Sequence, residues 1–150
     1  MKKVMMIVGT GALMAIAPLT FTSCGKKGCT DKDAENYCSE CKKDDGSCTY
    51  KGSVQFWYNQ STSQYLVNND ITGLEIYVDG ELIGSYATTV YFTSEPGCSE
   101  SSVVRKTKDL GKSKSASGSY VVKDSETGTT LWQGSFTYQA NTCISVKLNP

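Results

Sequence analysis

The chain has 150 residues, no histidine, and 15 basic against 15 acidic side chains, so its formal charge is zero. That length holds one ordinary domain plus a small satellite. Lack of histidine removes the commonest general base, the commonest metal ligand and every Ser-His or Cys-His nucleophile pair. Charge balance leaves no long-range field for capturing nucleic acid, so no nucleic-acid partner is expected.

Residues 1–23 have the layout of a secretory signal peptide. Lys2 and Lys3 charge the start, an apolar stretch runs from Val4 to Ala17, and small residues lead to Cys24. The rival reading is a single transmembrane anchor from Val4 to Phe21, which Gly9, Thr10, Gly11 and Pro18 weaken. The stretch Phe21-Thr22-Ser23-Cys24 resembles the lipobox of bacterial lipoprotein precursors. That resemblance implies diacylglyceryl transfer to the Cys24 thiol, cleavage before it, and a mature protein held to a membrane by fatty acyl chains such as palmitate. Each buried CH₂ is worth about 0.8 kcal/mol, so two or three chains anchor stably where one does not. With Gly25 in place of an aspartate after Cys24, the familiar sorting rule for such lipoproteins implies the outer membrane. Lys26 and Lys27 stand where some surface-exported lipoproteins carry acids, which leaves the leaflet open. Residues 24–27 then form a lipidated linker.

With Cys24 set aside, six of the seven cysteines remain, an even set suited to an oxidising compartment. Four of them, Cys29, Cys38, Cys41 and Cys48, frame residues 28–50, a segment with almost no aliphatic side chains. A fold this short needs bridges or a metal in place of a core. Pairing Cys29 with Cys48 would close the outer loop and contribute about 3 kcal/mol, leaving Cys38 with Cys41 as the inner pair. A four-thiolate zinc site is the alternative, since Cys38-Ser39-Glu40-Cys41 has half of a zinc-knuckle spacing. Calcium is a second candidate ligand, because Asp31, Asp33, Asn36, Asp44 and Asp45 offer hard oxygen donors near Gly46. The run Gly28-Cys29-Thr30-Asp31, Ala34, Asn36-Tyr37 and Asp44-Asp45-Gly46-Ser47-Cys48 with Tyr50 resembles a short Cys-framed repeat of secreted and surface proteins of Gram-negative bacteria.

From residue 52 to 150 the composition turns β-branched and aromatic with period two, the pattern of strands. Val54, Phe56 and Tyr58 share one face of a first strand. Leu74, Ile76 and Val78 mark a second, which turns at Asp79-Gly80 into a third through Leu82 and Ile83. A fourth is expected at Val90 and Phe92, a fifth at Tyr120 and Val122, a sixth at Trp132, Phe136 and Tyr138, and a seventh at Ile144, Val146 and Leu148. Asp124 to Gly128 reads as a turn. About seven strands with no convincing helical period imply a mainly β fold, an antiparallel β-sandwich. The layout is faintly similar to transthyretin-like and carboxypeptidase-regulatory modules. Cys98 and Cys143 are left to pair, closing some 45 residues and contributing about 4 kcal/mol.

Three features invite a functional reading. Glu100 to Gly118 carries Arg105, Lys106, Lys108, Lys112 and Lys114 against Asp109, a basic stretch read as a mobile loop able to meet anionic groups. Strand parity turns Trp57, Tyr77 and Tyr91 outward, a candidate aromatic platform for a sugar or protein. Glu75 and Asp79 form a candidate acid pair for glycoside hydrolysis. The reading expects no enzyme, but a membrane-anchored, non-catalytic envelope module that binds a protein or glycan. A small carboxylate-dependent hydrolase, or a calcium- or zinc-stabilised structural protein, is the alternative.

Overall fold

A computed structural model describes residues 25–150. The leader, the lipobox and Cys24 lie outside the described residues. Among those described, no helix is long and apolar enough to cross a membrane. The elements run β1 (Tyr50–Trp57), α1 (Gln60–Asn68), β2 (Gly73–Val78), β3 (Glu81–Ala87), β4 (Val104–Gly111), β5 (Ser115–Asp124), β6 (Thr130–Gln139) and β7 (Cys143–Lys147).

They form a β-sandwich of a three-stranded sheet, β4-β1-β7, and a four-stranded sheet, β3-β2-β5-β6. Every pairing in the larger sheet is antiparallel. In the smaller one β1 pairs antiparallel with β4 but parallel with β7. The parallel pair follows from the chain path: β6 crosses to the other sheet through the short turn at Ala140–Thr142, so β7 starts at the end where β1 starts. Between the sheets lie Val54, Phe56, Leu74, Ile76, Val78, Val122 and Tyr138, all essentially inaccessible. Alternation of these apolar residues with polar ones is what made the strands legible. In the β5–β6 register Gly118 faces Phe136 and Tyr120 faces Gly134. A Cβ at Gly134 would stand 2.8 Å from the Tyr120 ring, so each glycine makes room for the aromatic ring opposite.

Tyr86 bolts the two sheets together. Its hydroxyl donates to Phe56 O at 2.8 Å and accepts from Val104 N–H at 2.7 Å, linking β3 to both β1 and β4.

Several expectations need correction. No strand forms at Val90 and Phe92, which lie in the irregular connection between β3 and β4. The fourth strand is β4, inside the stretch read as a basic loop. Its inward positions are Val104, Lys106, Lys108 and Leu110. The lysine stems cover the core while their ammonium groups reach Glu81 at 2.7 Å and Asp79 at 2.8 Å. A helix also appears where none was expected. Asn59 caps α1 by accepting from Thr62 N–H at 3.2 Å, and the buried positions of α1 are Thr62, Ser63 and Leu66. Two of these three are polar, so no apolar period marks the helix. Their hydroxyls are satisfied by Leu148 O at 3.0 Å and Thr88 O at 2.6 Å, which seats α1 across one end of the sandwich.

Candidate functional site

The opposite end of the sandwich carries the cysteine-framed segment. Disulfides join Cys29 to Cys48 and Cys38 to Cys41, and a third joins Cys98 to Cys143. Within the segment the exposed Asn36 side chain clips two stretches of backbone together. Its amide donates to Ser47 O at 2.7 Å and its oxygen accepts from Thr49 N–H at 3.0 Å. Cys29, Ala34, Cys48 and Tyr50 are buried in the same apolar cluster as Val54 and Phe56, so the segment extends the sandwich core. Ion pairs at the seam join Lys114 to Asp31 at 2.5 Å and Lys51 to Glu35 at 2.8 Å.

The five oxygen donors considered for calcium do not converge. Asp31 takes Asp33 N–H, Tyr50 O–H and Lys114. Asp44 and Asp45 each accept a turn N–H, from Gly46 at 3.2 Å and Ser47 at 3.0 Å. Among the described residues no group of three or more His, Cys, Asp or Glu side chains could hold a metal ion. The Lys114 ammonium, with the Asp33 N–H and the Tyr50 hydroxyl, holds the Asp31 carboxyl down to about 2. The cysteines weighed as zinc ligands are spent in disulfides.

Where this segment meets the smaller sheet it leaves an open cleft of about 670 Å³. Glu35 and Tyr37 form one wall, Lys51, Ser53 and Thr107 come from β1 and β4, and Asn141 closes it from the β6–β7 turn, with the Cys98–Cys143 disulfide at its edge. The Tyr37 ring is 40% exposed. The Ser53 and Thr107 hydroxyls bond each other at 2.8 Å. A smaller groove of about 290 Å³ lies at the far end, between Tyr65 of α1 and Trp132 of β6.

The expected aromatic platform does not assemble. Trp57 is only 7% exposed, and its indole N–H donates to Ser145 Oγ at 3.0 Å. Both faces of β1 are covered: Gln55, on the Trp57 face, is fully buried and donates to Pro96 O at 2.8 Å, beneath the β3–β4 connection that the Cys98–Cys143 disulfide pins to β7. Tyr77 is half-buried on the larger sheet, bonded to Glu75 at 2.6 Å with Lys123 over its ring. Tyr91 is exposed, on the irregular connection. The acid pair is likewise divided, with Glu75 bound to Tyr77 and Asp79 taken by Lys108 and Ser119 N–H.

No family model, curated protein or solved structure matches the chain. The cleft stands on its geometry alone. Of the residues singled out from sequence, Asp33, Cys98 and Cys143 line it. Tyr37 stood in the Cys-framed motif without a binding role, and Ser53, Thr107 and Asn141 carried no local signal, because only the docking of the segment onto β1 and β4 brings the four together.

Proposed function

We propose that this chain is an envelope lipoprotein, held to the outer membrane by acyl chains on Cys24, whose sandwich is a non-catalytic module that binds a glycan in the cleft beneath Tyr37. The cleft carries this reading. It joins one accessible aromatic ring to hydroxyls, an amide and a Lys51–Glu35 ion pair, the mixture that suits a ligand with apolar C–H faces and many hydroxyls. A volume of about 670 Å³ is within the usual range of ligand pockets, roughly 300–1,000 Å³. Six cysteines paired in disulfides agree with export to an oxidising compartment.

Screening the purified protein on a glycan array tests the cleft. Tyr37→Ala should weaken binding of any glycan found by at least about tenfold, with little change in Tm because the ring is already exposed. Glycan binding indifferent to Tyr37, or capture of proteins only, would refute the cleft as a sugar site. Fatty-acid labelling tests the anchor: wild type should carry label and Cys24→Ala should not.

A further inference from the structure

Residues 25–27, read from sequence as part of a linker, are tied to the folded body together with Gly28. Lys42 N–H donates to Lys26 O at 3.0 Å and Gly28 N–H donates to Lys43 O at 3.1 Å, making a parallel bridge between Lys27 and Lys43. Gly28 lies hard against the Cys38–Cys41 disulfide, where a Cβ would stand 2.6 Å from Cys41 Sγ. The folded body therefore holds the backbone from Lys26 onward, two residues after Cys24 in sequence. Four exposed lysines, Lys26, Lys27, Lys42 and Lys43, gather at that exit. Lys26 pairs with Glu40 at 3.2 Å, and among the described residues the other three make no ion pair. The neighbouring acids Asp44 and Asp45 each commit one oxygen to a backbone N–H of their own turn.

We propose that this lysine cluster seats the molecule on the anionic phospholipid headgroups of the leaflet that holds its acyl anchor. The cysteine-framed end then faces the membrane and the α1 end faces away. The inference rests on acylation of Cys24, which fixes residue 25 at headgroup level. Lysines whose backbone is bonded beside that residue carry their charges within reach of the surface, where the Debye length is about 10 Å at ordinary ionic strength. Strand register places Lys123 and Lys147 near the far end. Across from β1, β7 runs from Ser53↔Cys143 to Trp57↔Lys147, while β5 runs from Ser115 to Asp124. Ten residues of β5 span about 34 Å at roughly 3.4 Å each, several screening lengths.

The processed chain, extracted from cell membranes, can be placed in phosphatidylcholine vesicles with and without phosphatidylglycerol and labelled with a water-soluble amine reagent. Mass spectra of its peptides report acylation of Cys24 and the labelling of every lysine together. The expected result is an acylated Cys24 and labelling of Lys27, Lys42 and Lys43 that falls about threefold when phosphatidylglycerol is added. Lys123 and Lys147 should not change. The protection should vanish in about 1 M salt, where the Debye length is roughly 3 Å. An unacylated Cys24 overturns the anchor and this inference with it. An acylated Cys24 with equal labelling in both vesicles, or with protection that survives salt, overturns the seating alone.

Discussion

Two buried tyrosines with opposite hydrogen-bond fates separate what a hydroxyl contributes from what a ring contributes. Tyr86 O–H is bonded on both sides, to Phe56 O and Val104 N–H. Tyr138 is fully buried and its hydroxyl has no partner among the described residues; burial pushes its pKa up to about 12. Tyr86→Phe leaves a part-buried N–H and a carbonyl short of a partner and should cost about 1–3 kcal/mol. Tyr138→Phe removes an unsatisfied group and should be neutral or stabilising, by up to about 1 kcal/mol. Urea denaturation of the two variants checks the contrast. Trp57 makes the same point about rings. Because it is buried and bonded to Ser145, Trp57→Ala should destabilise by about 3 kcal/mol, where an exposed platform residue would cost almost nothing. Strand parity failed at Trp57 because parity separates two faces without saying whether the second is covered.

At the scale of elements, β4 and the connection before it explain the largest departures from the sequence reading. An edge strand with inward lysines hides its period behind charge, and lysines on edges also discourage pairing with other chains. Its exposed ion pairs to Glu81 and Asp79 contribute little by themselves; the stems over the core matter more. The connection from Thr88 to Val103 is irregular yet held over β1 by the Gln55–Pro96 bond and the Cys98–Cys143 disulfide. Replacing both Cys98 and Cys143 by serine should cost about 4 kcal/mol through loop entropy. It should also uncover β1, so that the tryptophan emission maximum moves to the red under native conditions. An unchanged spectrum together with an unchanged urea midpoint would show that the connection holds without its disulfide.

For the whole molecule, the decisive fact is that the cysteine-framed segment and the sandwich share one core, with Cys29, Ala34, Cys48 and Tyr50 packed among sandwich residues. Acid should reveal that coupling. The Asp31 carboxyl that receives Lys114 titrates at about 2 instead of 3.8. A depressed carboxylate pKa contributes stability that is complete above the unfolded value and fades as pH falls through the folded one. Wild type should therefore lose stability relative to Asp31→Asn as pH drops from about 3.8 to about 2, and the difference should be constant above that window. Urea midpoints collected across the acid range check this. A difference that stays constant to the lowest pH would mean that Lys114 and Asp31 do not hold the seam.

Sequence alone determined the class of fold and most of the strands, and it favoured the three cysteine pairs while leaving zinc open at residues 28–50, which the bridges Cys29–Cys48 and Cys38–Cys41 decide. Alternating apolar residues, the Asp79-Gly80 turn and the cysteine spacings are local signals that survive without knowing what packs where. The same locality explains what it could not determine. Helix α1 is held by Thr62 and Ser63 bonding to distant carbonyls, and β4 by lysines that reach acids on the β2–β3 hairpin. Trp57 is hidden on a sheet face covered by a connection some 40 residues away in sequence at Pro96. The cleft was invisible for the strongest form of that reason. Tyr37, Ser53, Thr107 and Asn141 come from four separate stretches of chain, and only the burial of the cysteine-framed segment against β1 and β4 gives them a common wall.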